Sequence, residues 1–301
     1  MLFFSVLLGI CFIGYLAQTT GLCMVKGVNE WKAGNKEFLL SIIFSGFLIW
    51  ISTLFAHFFE ISVSFKAYQI SSWFIAGGFL FGLGTAFNKG CGISTLSRLT
   101  RGDSKMIATI VGWLIGWTIL AYLSPQIISV REPLPANIPY LFLIIASFII
   151  IVWVSFSHIK RKKQWFGMMG IGLLSGFIYL YHPKWPPNAL LNQLSQAFCD
   201  SELSGWPSVE QYLFFIALLT GMFIAAWRTN KFVFSASNSK DWIKHLIAGT
   251  LMGVGASLAM GGNSVQLLMA VPVLSPGGLG AVGGMLLGIW SGLYIRDHTF
   301  L

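Results

Sequence analysis

The chain is poor in charge. Only 10% of its 301 residues are Asp, Glu, Lys or Arg, against about 25% in a soluble domain. Acidic residues are scarcest, ten against nineteen basic ones. None lies inside an apolar run, so a proton relay through buried carboxylates has no candidate. Cysteine is also rare. Cys11, Cys23, Cys91 and Cys199 form no CxxC and no metal spacing, so neither a disulfide framework nor a metal centre is indicated. His57, His158, His182, His245 and His298 sit near the ends of apolar runs, with no pairing at metal or triad spacing. No metal and no cofactor are expected. The N-terminus lacks a basic segment and a small-residue cleavage site after Gly9-Ile10-Cys11, and reads as a first membrane span, not a signal peptide. No linker or low-complexity stretch divides residues 1–301, which read as one transmembrane domain.

What is present is apolar sequence. Hydrophobic residues make up 55% of the chain and the mean hydropathy is +0.75. The fold class expected is an all-α polytopic membrane protein with about nine transmembrane helices. The runs are Leu2–Gln18, Phe38–Phe58, Trp73–Phe87, Met106–Leu123, Ile138–Ser157, Gly167–Tyr181, Tyr212–Trp227, Leu246–Met260 and Leu279–Tyr294. A formal charge of +9 invites a nucleic-acid partner, but the basic residues sit in short loops between apolar runs, so they report topology and exclude that partner. With the N-terminus outside, the inner loops hold Lys26, Lys32 and Lys36; Arg98, Arg101 and Lys105; Lys160 to Lys163; Arg228, Lys231, Lys240 and Lys244; and Arg296. The outer loops hold only Lys66, Arg131 and Lys184, and the long outer loop from Pro183 to Glu210 carries Asp200 and Glu202. The expected location is a bacterial inner membrane, surrounded by lipid, with the C-terminus in the cytoplasm.

One stretch organises the rest. Gly77 to Leu99 reads GGFLFGLGTAFNKGCGISTLSRL: an apolar helix, a polar break at Asn88-Lys89-Gly90-Cys91-Gly92, then a short helical run. Such a break frees backbone groups that need protein or water partners in lipid, and it is tolerated where it lines a cavity. The pattern returns in Gly249 to Ala270. Gly78, Gly82, Gly84 and Gly90 align with Gly249, Gly253, Gly255 and Gly261 at one fixed offset. With one insertion, Gly112 and Gly116 align with Gly284 and Gly288. The chain therefore reads as two inverted-topology repeats, about 1–124 and 167–296, joined by a helix at about 138–157. The runs Gly92–Leu99 and Asn263–Ala270 are too short to span and read as re-entrant half-helices entering from opposite sides.

The breaks hold the candidate chemistry. A half-helix beginning near Gly92 aims free N–H groups at the break, and with Lys89 it makes an anion site. The Cys91 thiol is a weak donor and a soft partner for a sulfur anion. Packing alone would also explain Gly90, Cys91 and Gly92, and Lys89 could snorkel to the cytoplasmic face. In the second break Gly262 stands where Cys91 stands in the first, followed by Asn263 and Ser264. Asn263 reads as an N-cap. A cysteine placed at Gly262 is expected to be accommodated. Cys23 follows a glycine and a polar turn, and a lone cysteine there carries no chemistry by itself.

From Gly82-Leu83-Gly84 through Asn88-Lys89-Gly90-Cys91-Gly92, with Gly21-Leu22-Cys23 and the repeat, the chain resembles the YeeE/YedE family of sulfur-transport membrane proteins, the bacterial thiosulfate permeases. The resemblance implies a helical bundle, concave on both faces, with helix–loop–helix elements entering from each side. It implies that a thiosulfate ion passes between central cysteines by S–H hydrogen bonds without a covalent intermediate, and that a small soluble sulfur-carrier protein is a partner on the cytoplasmic face. By position, Cys91 and Cys23 match two of three such cysteines, and the third falls at Gly262. The substrate-binding and translocation set is then Cys91, Cys23, Lys89, Asn88, Gly90, Gly92, Gly262, Asn263 and Ser264, with no catalytic residue. The alternative is a membrane thiol enzyme or a sulfur-transfer subunit that docks the soluble carrier.

Overall fold

The computed structural model describes residues 2–62, 65–123, 133–134, 140–199 and 205–299. Arg131, Asp200 and Glu202 lie outside the described residues. The chain folds as helices, as a backbone in lipid must when it cannot close a barrel. In order they are α1 (Leu2–Thr20), α2 (Met24–Lys32), α3 (Glu37–Ile43), a 3-10 turn (Ser45–Leu48) and α4 (Ile49–Phe58). Then come α5 (Ser72–Asn88), α6 (Gly92–Leu99), α7 (Met106–Leu123), α8 (Tyr140–Ser155) and α9 (Ile159–Tyr181). The last are α10 (Pro187–Cys199), α11 (Val209–Arg228), α12 (Ser239–Leu258), α13 (Asn263–Val265), which runs into a π turn (Gln266–Ala270), and α14 (Pro276–Thr299). The described strand residues are one short antiparallel pair, Ala67–Tyr68 with Pro133–Leu134.

Six helical stretches are long and apolar enough to cross a membrane. Their outward faces carry Leu8, Phe12, Ile107, Ile115, Ile216 and Leu287, all exposed. An apolar belt of this extent is a lipid-facing surface. The remaining apolar runs are also helical: α5 has 17 residues, α8 has 16, and α9 begins with the basic residues Lys160 to Lys163. The fold is an all-α polytopic membrane protein.

The centre is a row of four helices in the order α14, α5, α12, α7. Glycines make it possible, because in lipid close backbone approach replaces hydrophobic driving force. A side-chain carbon on Gly78 or Gly82 of α5 would run into the α14 carbonyls of Ala281 and Met285. One on Gly112 or Gly116 of α7 would run into the α12 carbonyls of Leu246 and Thr250. These two contacts are equivalent under the repeat, and each joins one half to the other. Between the halves, Gly77 packs on Leu258 and Ala259 while Gly84 packs on Ala248 and Met252, so α5 and α12 run antiparallel. α1 and α9 do the same, with Gly9 on Ile178 and Gly167 on Thr20. Corresponding helices running antiparallel give the two-fold, inverted relation.

Three local features differ from the sequence expectation. The loop from Pro183 contains α10, and the segment after Cys23 contains α2; both are short and polar on one side, so they lack the long apolar run that marks a span. Lys160 to Lys163 belong to the first turn of α9, not to a loop. The span from Glu37 to Phe58 is interrupted by its 3-10 turn. There Gly46 admits the π turn of the other half, where a side-chain carbon would lie 2.6 Å from the Leu267 carbonyl.

Candidate functional site

Both breaks have the same backbone. At the end of α5, Lys89 takes the left-handed conformation (φ 57°), and at the end of α12 Met260 does so (φ 56°). Gly90 N–H donates to the Thr85 carbonyl (2.9 Å), and Gly261 N–H donates to the Ala256 carbonyl (2.7 Å). Cys91 (φ −81°, ψ −177°) and Gly262 (φ −77°, ψ −175°) then hold the N-cap positions of α6 and α13. The shared geometry closes each long helix with a left-handed residue and turns the chain back toward the interior.

The first break is fastened by Asn88, which is fully buried. Its amide nitrogen donates to the Gly90 carbonyl (2.9 Å) and to Thr95 Oγ1 (2.8 Å). Its Oδ1 accepts from Thr109 Oγ1 (2.7 Å) and lies 2.7 Å from His245 Nδ1. Its main-chain carbonyl accepts from Arg98 (2.9 Å), whose guanidinium also binds Asp103 at 2.7 Å. Every polar atom of the Asn88 side chain is used inside the protein. This residue builds the break and has no valence left for a ligand.

Cys91 is buried, and its thiol donates to the Leu22 carbonyl (3.2 Å) in the turn after α1. Ser94 Oγ lies 3.5 Å from the same sulfur. That join brings Cys23, the N-cap residue of α2, against it: the two thiols face each other, with Ser94 and the Lys26 main chain as further polar neighbours of Cys23. Arg101 is the guanidinium within electrostatic reach of Cys23. Cysteines 68 positions apart in sequence (91 minus 23) thus form one thiol pair.

Lys89 is exposed and lines a cavity of about 510 Å³ with Arg98, Lys105, Lys244, His245 and Arg296; Asp241 is its acidic member. Phe87, Ile247, Ala248 and Leu251 give it apolar walls. Asp103 is shared between Arg98 and Lys105 (3.7 Å to the latter), so it offsets only part of their charge. The positive potential of the site therefore sits at the mouth of the first break rather than at the thiols.

The second break opens on a different cavity, of about 270 Å³, lined by Trp117, Tyr179, Asn188, Asn192, Gly261 and Met269 among others. Because α5 and α12 are antiparallel, the long helices lead into the two breaks from opposite ends of the bundle. The half-helices nevertheless touch, α6 against α13. Asn188, in the first turn of α10, lies between them. A side-chain carbon on Gly92 would be 3.8 Å from its Oδ1, and one on Gly262 would be 2.7 Å from its Nδ2. The space beside Gly262 is thus filled, with Phe81 also 3.2 Å from that carbon position, and a cysteine there would force a shift. Room for a thiol opens there when the Asn188 carboxamide, the free end of a side chain, turns away.

Asn263 does not cap its helix. Gly262 is the N-cap residue and no side chain caps it. The Asn263 carboxamide is 1% exposed, and neither its oxygen nor its nitrogen has a partner. Ser264 is buried beside it. Trp113 stacks its ring edge 3.4 Å from the side-chain position of Gly92, and its indole N–H is also buried without a partner. Sequence reasoning missed Asn188, Trp113, Thr109 and His245. Asn188, Trp113 and Thr109 lie on helices apart from the breaks, His245 lies on α12 far in sequence from the first break it touches, and no spacing in the chain links them.

A half-buried and a buried thiol, with buried amides, lie where two half-helices touch inside a bundle with an apolar outer belt, and this marks a membrane protein with a polar interior. The profile of the sulphur transport family matches residues 20–166 and again 135–291. Together these matches cover most of the chain, which belongs to the YeeE/YedE sulphur transport family. No curated protein matches it.

Proposed function

We propose that the chain is a permease of the inner membrane that takes up thiosulfate or a related small sulfur-containing anion. The observation that carries the reading is the facing pair Cys23 and Cys91, held by Leu22 and Ser94 at the first break. Two thiols offer a soft anion weak donors in succession, so it can enter without being trapped. The N-terminus lies outside and the C-terminus in the cytoplasm, following the excess of Lys and Arg in the inner loops. The cationic cavity at Lys89 then faces the cytoplasm and draws the anion off the thiols. The same basic face supports docking of a small acidic sulfur-carrier protein. Proton relay and nucleophilic chemistry are not required by the site, so the protein acts as a transporter and not as an enzyme.

The test is uptake of labelled thiosulfate into proteoliposomes containing the purified protein, with Cys91→Ala alongside. Uptake by the wild type that is lost in the variant is the expected result. Absence of uptake by a folded wild type overturns thiosulfate as substrate.

A further inference from the structure

In the second break a thiol is absent and an amide is present. We infer that Asn188 and Asn263 form an oxygen-selective subsite opposite the Cys23–Cys91 pair, so that the anion held at the constriction is two-ended, with its sulfur on the thiols and its oxygens on the carboxamides. This rests on the permease reading above.

Two independent observations carry it. The Asn188 Nδ2 occupies the volume a side chain at Gly262 would take, 2.7 Å from that side-chain position, so a donor stands where the repeat would put a sulfur. Asn188 also reaches across to Gly92, next to Cys91, and its half-buried side chain lines the cavity at the second break. The second observation is Asn263, whose buried carboxamide has four hydrogen-bonding valences and uses none of them. A buried unpaired amide is costly, and a native structure keeps one where a ligand or water completes it. An amide N–H is a hard donor that favours oxygen acceptors over sulfur, whereas the thiol is soft and polarisable. The pair therefore recognises the oxyanion end of the ligand and discriminates against an anion that has only sulfur.

The experiment uses the full-length protein in proteoliposomes and reads labelled thiosulfate uptake with sulfate or hydrosulfide as competitor. Asn188→Ala and Asn263→Ala are each expected to raise the half-saturating thiosulfate concentration about tenfold, the scale of one hydrogen bond to a charged group. Competition by hydrosulfide, which needs only the thiols, stays unchanged in both, and Cys91→Ala weakens it. Asn263→Ala removes an unsatisfied buried amide, so its thermal unfolding midpoint should equal or exceed the wild type's; a merely structural asparagine would lower it. Gly262→Cys alone is expected to reduce uptake by crowding Asn188, and Asn188→Gly combined with Gly262→Cys to recover it with a gain in hydrosulfide competition. Wild-type half-saturation in both alanine variants overturns the inference and leaves the permease reading standing. A wild type that neither takes up nor binds thiosulfate overturns both.

Discussion

The Cys91 sulfur lies 3.2 Å from the main-chain carbonyl of Leu22, and this contact ties the break after α5 to the turn after α1. Without it, Cys23 would be a lone cysteine at the start of a short amphipathic helix. With it, Cys23 and Cys91 become a pair. The polar centre of the bundle is assembled from turns and half-helix starts, which are the places where backbone irregularity is tolerated in lipid if protein surrounds it.

Removing either thiol should stop transport without unfolding the protein. Cys91→Ala and Cys23→Ala each leave a small, apolar replacement, and the neighbouring Arg101 keeps its bonds to Ser97. We expect thiosulfate uptake to fall by about tenfold or more in each, since a lost contact worth about 1.4 kcal/mol is tenfold. Monodisperse protein with an unchanged unfolding midpoint would accompany the loss. Normal uptake by Cys91→Ala would remove the thiol pair from the pathway.

Asn88 should behave in the opposite way, as a structural residue. Asn88→Ala removes the partners of Thr95, Thr109, His245 and the Gly90 carbonyl at once. Stranded buried polar groups cost about 1–3 kcal/mol each. The variant should lose stability by several kcal/mol, read as a lowered unfolding midpoint in detergent, and uptake should fall in step with it. A stable Asn88→Ala with impaired uptake would instead assign Asn88 to the ligand.

The glycine rows allow an internal control. Gly78→Ala and Gly288→Ala place a methyl group against the carbonyls of Ala281 and Phe79, across the α5–α14 contact. Overpacking of this kind costs about 1–3 kcal/mol. Gly283, one position from that interface on α14, has nothing within 4 Å of a new side chain. Gly283→Ala should be silent, while the other two lower expression and thermal stability. Equal behaviour of all three would mean the helices are further apart than described.

Lys89→Gln addresses the cationic cavity. Lys89 is exposed at a left-handed helix end, and glutamine is of similar length without the charge. Uptake should fall several-fold at low ionic strength, and the difference from wild type should shrink as salt is raised, because a charge acting through water is screened over about 10 Å at 0.1 M. Expression should be little changed. A drop in expression with the uptake per molecule unchanged would make Lys89 a topology anchor.

Much of this protein is legible in one dimension. The apolar runs place the long helices, because lipid demands both a minimum apolar length and complete internal hydrogen bonding; the polar first turns of α9 and α12, which begin at Ile159 and Ser239 ahead of the runs from Gly167 and Leu246, are missed. The glycine register exposes the repeat, because the two equivalent contacts between the halves need the same small residues at the same spacing. The start of α6 at Gly92 follows from the polar break before it. The short helices α2 and α10 escape the same reading, since neither is long or apolar enough to separate from a loop.

The sequence by itself therefore determined the class, the family and the glycine register that relates α5 to α12 and α7 to α14. Only the tertiary structure decided what meets at the centre. It set Cys23 against Cys91, spent every valence of Asn88 on holding the break, and turned Lys89 into the wall of a cationic cavity. It also seated Asn188 beside Gly262 and left Asn263 unpaired. The physical reason is range. Lipid partitioning and backbone satisfaction act along a segment and leave a periodic trace in it, whereas a hydrogen bond between residues on separate helices depends on how those helices pack, and no local pattern records it.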